Sequence, residues 1–269
     1  MSLKAAYLLS AAILGSLPTV ASGSCALLSV EPSVGVAREH WSEYSRDDRR
    51  IVLETGRLEA FGLGLSGTCG DLSFKFDLVK RSGIRQYEGF SNRGQAVRTA
   101  SDIHVLGLVA TATYTTTLAS ISIFGASRQS DRVIRSQGAV AGYPEEFEQY
   151  FAGTAVGKHW NLNTELSLDL GGFMSVGKGS MAVELPGADR LRLNLGQTRA
   201  RGGQLKVGYT PIKAYRDWKT LLLLDANTEA TEAGRVATIY QDAVPISAAY
   251  QPRFTLKTRS VRIGIERTF

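Results

Sequence analysis

The chain has 269 residues, 43% of them hydrophobic, with 28 Gly, 7 Pro and a formal net charge of +6; this composition fits one large folded domain and contains no low-complexity linker. Lys and Arg are scattered singly instead of gathering on one helix or loop, which argues against nucleic acid as a partner despite the positive charge. Beyond the N-terminal region no stretch approaches the ~20 continuous apolar residues that a membrane-spanning helix needs.

The chain opens Met1-Ser2-Leu3-Lys4, continues with an apolar run from Ala5 to Leu17, and then has the small residues Ala21, Ser22 and Gly23. That is the layout of a secretory signal peptide, so residues 1–23 are expected to be removed and 24–269 to form a single domain. Export makes Cys25 and Cys69 informative, because both would reach an oxidising compartment. A bridge between them would be worth roughly 4 kcal/mol by chain-entropy reasoning; the sequence leaves a disulfide and two free thiols both open. Acylation of Cys25 is disfavoured, since Ser22-Gly23-Ser24 lacks the large aliphatic residue usual three positions before a lipidated cysteine.

From there on the dominant pattern has period two, which predicts an all-β protein. In the segment 165–174, Leu166, Leu168, Leu170 and Met174 share one face while Glu165, Ser167, Asp169 and Gly171 share the other. Strands are expected at roughly 28–44, 51–67, 71–87, 97–114, 117–133, 147–162, 164–185, 189–212, 217–233 and 253–269. The segments 164–185 and 189–212 are roughly twice the 9–11 residues a tilted strand needs to cross a bilayer, so they are expected to form a tall hairpin around Pro186-Gly187. Uninterrupted pairing of Leu185 with Arg190 sets Asp169 opposite Lys206, and Gly202-Gly203 is the expected place for a bulge.

The last segment sharpens the class. Val261, Ile263, Ile265 and Phe269 share one face; Ser260, Arg262, Gly264 and Glu266 share the other. Arg262, Gly264 and Phe269 resemble the C-terminal assembly signal of bacterial outer-membrane β-barrels, in which a polar residue, a glycine and a terminal aromatic recur at fixed spacing; Arg267 stands where that pattern has an aromatic or aliphatic residue. The resemblance implies a transmembrane antiparallel up-and-down β-barrel of about ten strands in the bacterial outer membrane. It also implies two partners: the assembly machinery, which would read the last strand, and the surrounding lipid and lipopolysaccharide.

Ten strands pass an independent check. The short connections at 68–70, 115–116, 163 and 214–216 all fall at the end that holds both termini, and the longer ones at 88–96, 134–146 and 234–252 at the other, as periplasmic turns and extracellular loops should. Cys25 and Cys69 then lie at the same, periplasmic end.

The face read as inner carries a mixed-charge network of Lys75, Asp77, Arg81, Arg85, Asp169, Lys206, Lys219, Asp225, Arg262 and Glu266, together with Asp102 and His104. A barrel this narrow is close to the size its own side chains fill, so a salt-bridged plug is favoured over a narrow passage for a small solute. Asp102 and His104 are the catalytic candidates, because a carboxylate two residues along a strand can orient a histidine general base. Omptins, the ten-stranded outer-membrane proteases, are similar in strand count, tall strands and an Asp-x-His pair, which implies proteolysis at Asp102 and His104. Their further Asp-x-Asp pair has no counterpart here. A lipid-modifying enzyme built on an isolated Ser and His has no motif to point to.

His40 and His159 are read as neighbours of the aromatic girdle, beside Trp41 and Trp160. No spacing of His, Cys and Asp matches a metal site, and no metal or cofactor is expected. The segments 89–94 and 143–150 are read as exposed loops suited to recognition. A surface-binding or envelope-structural role is therefore favoured over catalysis.

Overall fold

The computed structural model describes residues 25–90, 94–138, 141–184, 189–210, 217–241 and 244–269, with side chains described from residue 29 onward. The expected signal peptide, 1–23, and the turn residues Leu185 to Ala188 and Ala214 to Arg216 lie outside the described residues. Within them the strands are β1 Cys25–Tyr44, β2 Arg50–Cys69, β3 Leu72–Phe90, β4 Ala96–Thr115, β5 Ser120–Ile134, β6 Pro144–Asn161, β7 Leu166–Val183, β8 Leu191–Asn194, β9 Thr198–Tyr209, β10 Trp218–Thr231, β11 Ala237–Gln241, β12 Val244–Ala249 and β13 Arg253–Thr268.

Ten of these form a closed antiparallel barrel in the ring order β1-β2-β3-β4-β5-β6-β7-β9-β10-β13, with β13 paired back onto β1. This is the all-β up-and-down barrel the alternation predicts. Closure removes the open edges that a sheet of this length would otherwise present.

The differences from expectation have local causes. β1 to β4 run to 19 or 20 residues, so the height expected of one hairpin is not confined to it. Pro144 to Glu146, ahead of the strand expected from 147, also belong to β6, and in the stretch read as a recognition loop Glu145, Phe147 and Gln149 are buried inward while Glu146, Glu148 and Tyr150 point out. The segment read as a loop at 234–252 contains the hairpin of β11 and β12, disguised by Pro245, which sits where the pairing is irregular opposite Tyr240. Asp169 does face Lys206 across β7 and β9, and Gly202 and Gly203 pair without a bulge opposite Phe173 and Gly172. The irregularity lies higher up, where three steps of β7, from Gly177 to Ser180, face four of the other chain segment, from Thr198 to Asn194.

The outer wall near the termini carries a belt of exposed apolar side chains. Val34, Ile123, Val156, Met174 and Ile263 are each more than half exposed, a pattern that is stable against lipid and costly against water. Tyr114, Trp160, Tyr209 and Trp218 are also exposed towards the termini end of their strands, as an interfacial girdle requires. Arg267 belongs to this girdle: its guanidinium stacks 5.0 Å from the Trp218 ring and 4.6 Å from the Phe269 ring, which accounts for an arginine at a position expected to be apolar.

At the same end Gly70 adopts φ 62° in the tight turn from β2 to β3, a conformation that favours glycine. Cys69 is disulfide-bonded, and the β1–β2 register sets the chain's other cysteine, Cys25, directly opposite it. Gly264 has a packing reason: a Cβ there would come 2.8 Å from the Pro32 carbonyl oxygen and 3.1 Å from Ser33 Cβ on β1, the strand that closes the barrel. Gly264→Val is therefore expected to destabilise the barrel by roughly 1–3 kcal/mol through overpacking. Gly125→Val, where a Cβ meets nothing within 4 Å, should leave it unchanged; urea midpoints followed by heat-modifiable gel migration read both.

Candidate functional site

The barrel interior is the place where the sequence concentrates chemistry. Charged side chains that alternation turns inward meet there, far from bulk water, and each must find a partner. Arg85 on β3 donates from Nε and Nη2 to Glu39 Oε2 of β1, at 3.1 and 2.5 Å, and from Nη1 to Glu54 Oε2 of β2 at 3.1 Å. Arg132 on β5 reaches Glu145 of β6 at 2.5 Å, Glu43 of β1 at 2.9 Å and Glu54 at 3.5 Å. Arg81 adds a 2.8 Å ion pair to the other oxygen of Glu39. Glu39 and Glu54 are 0% exposed and Arg132 4%, so these are desolvated ions held by direct contacts.

A second bridge crosses the lumen. Arg128 on β5 grips Glu229 on β10 in a two-pronged contact of 2.6 and 2.5 Å, and also donates to Gln149 Oε1 at 2.5 Å. β5 and β10 lie on nearly opposite sides of the ring, as do β5 and β1, which Arg132 connects through Glu43. Aromatic rings brace the guanidinium groups: Arg132 lies 5.1 Å from the Trp41 ring and 5.8 Å from Phe147, and Arg128 lies 5.3 Å from Phe151.

Interleaved with this layer in the loop half of the barrel, Trp41, Phe147, Met181, Leu193 and Phe254 form an apolar cluster with partly buried Tyr143 against it. Burial and the nearby Glu145 carboxylate hold the Tyr143 phenol above its ordinary range. Below the layer, Lys206 donates to Glu31 at 2.7 Å and Glu266 at 3.0 Å, Lys75 pairs with Asp77 at 3.0 Å, and Arg262 pairs with Asp225 at 3.0 Å. A cavity of about 430 Å³ lies beneath, lined by Lys75, Lys206, Lys219, Glu266, Asp169 and His159 among others.

Of the residues predicted for the lumen, Lys75, Asp77, Arg81, Arg85, Asp169, Lys206, Lys219, Asp225, Arg262 and Glu266 all lie on inward positions of their strands. They do not form one network. Arg81 and Arg85 join the buried upper layer, whose carboxylates and whose Arg128 and Arg132 were missed. The other members belong to the lower group. Asp169 bonds to His159 Nδ1 at 2.7 Å, and not to Lys206 as register alone suggests; His159 faces the cavity, not the girdle. His40 lies on the outer wall beside Ser42, 3.2 Å away.

Asp102 and His104 must be corrected. They stand on the outer wall, in phase with the exposed Leu106 and Leu108, while Ser101, Ile103 and Val105 take the inward positions. Asp102 is held by Arg135 at 2.6 and 2.8 Å. The reason is that this part of β4 rises above the apolar belt, where water bathes the outside and the interior is the dry side.

No family model and no curated protein matches the sequence. Among solved structures, the outer membrane protease OmpT from Escherichia coli is similar over 93% of this chain and 99% of its own, with TM-score 0.60 at 8% identity. The fold is that of a bacterial outer-membrane β-barrel. The translocator domain of the autotransporter NalP from Neisseria meningitidis (12% identity, 99% and 95% coverage, TM-score 0.48) and Neisserial surface protein A (10%, 91% and 99%, 0.35) are also similar at lower scores.

Arg132 is the joint of the upper layer. Arg132→Met removes an ion-pair partner from three inward carboxylates, leaving Glu54 with Arg85 but Glu43 and Glu145 with no cation within ion-pair distance among the described residues, and is expected to cost about 3–5 kcal/mol, the usual penalty for stranding one side of a buried ion pair. Arg135→Met, at the exposed ion pair with Asp102, should leave the midpoint of urea unfolding where it is.

Proposed function

We propose that this chain is a closed outer-membrane barrel, exported through the N-terminal signal peptide, that works through its outward surfaces in a binding or envelope-structural role. The observation that carries this reading is the pair of cross-lumen bridges, Arg128 to Glu229 and Arg132 to Glu43, with the apolar cluster packed against them. A solute entering from the termini end meets the 430 Å³ cavity and then a layer of direct ion pairs. The strand tops and the β11–β12 hairpin, with Tyr240, Val244 and Ile246 exposed, are what such a barrel offers to a partner outside the cell. The last strand, with Arg262, Gly264 and Phe269, is the segment proposed to engage the assembly machinery.

The narrow-channel reading would need a path through the Arg132 layer. A protease or lipid-modifying reading would need a catalytic group in a cleft, and Asp102 is instead engaged in an ion pair on the outer wall. Single-channel recording in planar bilayers tests the choice: the native protein is expected to show no resolved conductance steps. Replacing both Arg128 and Arg132 by Ala should produce them. Steady conductance from the native protein would overturn the closed-barrel reading. Outer-membrane fractionation tests the location separately, and recovery in the soluble periplasm would sink it.

A further inference from the structure

The cavity of about 430 Å³ at the termini end plays no part in closing the barrel. Its wall is built from strand ends: Thr68 and Glu266 lie near the ends of β2 and β13, while Ser73, Ser167 and Lys219 are each the second residue of β3, β7 and β10. It therefore opens at that end. On the other side it is closed by Lys206 with Glu31 and Glu266, and by the arginine bridges beyond. Its volume lies within the roughly 300–1,000 Å³ of small-molecule sites. Gly208 keeps the space open: the register sets it between Ser167 of β7 and Leu221 of β10. A Cβ there would come 2.6 Å from Ser167 Oγ, 3.6 Å from Leu221 Cδ2 and 3.8 Å from Lys219 Cδ.

Most of the charged groups around the cavity are matched. Lys75 pairs with Asp77 at 3.0 Å, Lys206 holds Glu31 and Glu266, and Asp169 is bonded to His159 Nδ1 at 2.7 Å. Lys219 is the exception. Its register neighbour on β13 is Glu266, but that carboxylate turns to Lys206, and no carboxylate lies within ion-pair distance of Lys219 among the described residues. The hydroxyls of Ser73 and Ser167 likewise make no hydrogen bond to the protein among the described residues, although Ser167 is only 9% exposed. One ammonium and two hydroxyls thus face the same half-enclosed space uncommitted. An apolar ligand would cover them without partners, at a cost for each. A simple anion would engage Lys219 and leave the hydroxyls unused.

We infer that the cavity binds a small hydroxylated carboxylate of the sugar-acid class, its carboxylate on Lys219 Nζ and its hydroxyls on Ser73 and Ser167. The ammonium offers a charge-assisted hydrogen bond, and each serine hydroxyl both donates and accepts, as sugar hydroxyls do. With the other ions of the wall matched, a single anionic group is the charge the cavity calls for. Binding depends on the cavity alone; that its mouth faces the periplasm rests on the proposed outer-membrane location.

Isothermal titration of the detergent-solubilised full-length mature protein tests it, with glucuronate as probe, glucose as the same skeleton without the charge, and acetate as the charge without the hydroxyls. Glucuronate should bind saturably at millimolar concentration or below, at least about tenfold more tightly than glucose or acetate. Lys219→Gln should weaken glucuronate at least about tenfold, to the level of glucose. Gly208→Leu, which fills the space, should abolish binding, and Lys80→Gln on the outer wall should keep it. Heat-modifiable migration confirms that each variant is folded. Absence of saturable glucuronate binding by the folded native protein overturns the inference, as does full retention by the folded Lys219→Gln variant. Equal affinity for acetate overturns it in favour of a plain anion site. Conductance steps from the native protein would overturn the closed-barrel reading without bearing on these titrations, so the two fail separately.

Discussion

The barrel depends on the layer of guanidinium–carboxylate contacts inside it. A ring of ten strands encloses a lumen too wide for backbone contact across it and too narrow to hydrate every inward charge well. Arg85, Arg128 and Arg132 resolve this by each holding carboxylates from other strands, so that β1, β2, β3, β5, β6 and β10 are joined through the interior as well as around the wall. Such an arrangement also fixes register. A slip of one residue in β5 would carry Arg128 and Arg132 to the outside and leave Glu229, Glu43 and Glu145 buried without partners, a far larger cost than the hydrogen bonds gained by re-pairing the strand.

The strand lengths explain why that layer sits where it does. A bilayer uses only 9–11 residues of a tilted strand, and β1 to β4 have about twice that number. The half nearer the termini meets lipid outside and keeps polar groups and the cavity inside. The other half stands in water, so its inner face can become a core of the ordinary soluble kind: Leu58, Ile103 and Val105 pack there, as does the cluster around Trp41 and Phe254. The ion layer stands above the cavity and is interleaved with that cluster, whose rings lie directly over the Arg132 guanidinium and exclude water from it.

This change of surroundings along each strand also sets what was legible in the sequence. Alternation carried the strand count, the antiparallel order and the turns, because period two persists whichever side is wet. It placed Lys75, Arg85, Lys206 and Arg262 on inward positions for the same reason. The rule that polar means inward holds only within the belt, and it failed on β4, where Asp102 and His104 continue the outward phase of Leu106 and Leu108. Carrying the phase of each belt segment upward would have turned Glu39, Glu43, Glu54 and Glu145 inward. What no phase argument contains is the choice of partner: Asp169 and Lys206 are direct neighbours on adjacent strands, yet one turns to His159 and the other to Glu31 and Glu266. Asp169 takes its register partner on the other side, His159, and Lys206 takes Glu31 and Glu266, which ring closure brings to it.

The same reasoning separates the inner and outer charges by what they require. Inside, each arginine of the upper layer has a carboxylate at contact distance, and Arg81 Nε is left buried without a hydrogen-bond partner among the described residues. Outside, Glu88, Asp102, Glu146 and Glu148 are paired with Arg98, Arg135, Arg190 and Arg192, while Lys80, Lys178, Arg38, Arg57 and Arg259 stand exposed with no carboxylate within ion-pair distance among the described residues. The outer charges are solvated and lose little when a partner is missing, whereas each ion stranded in the buried layer costs several kcal/mol, so it is the inner contacts that select the register.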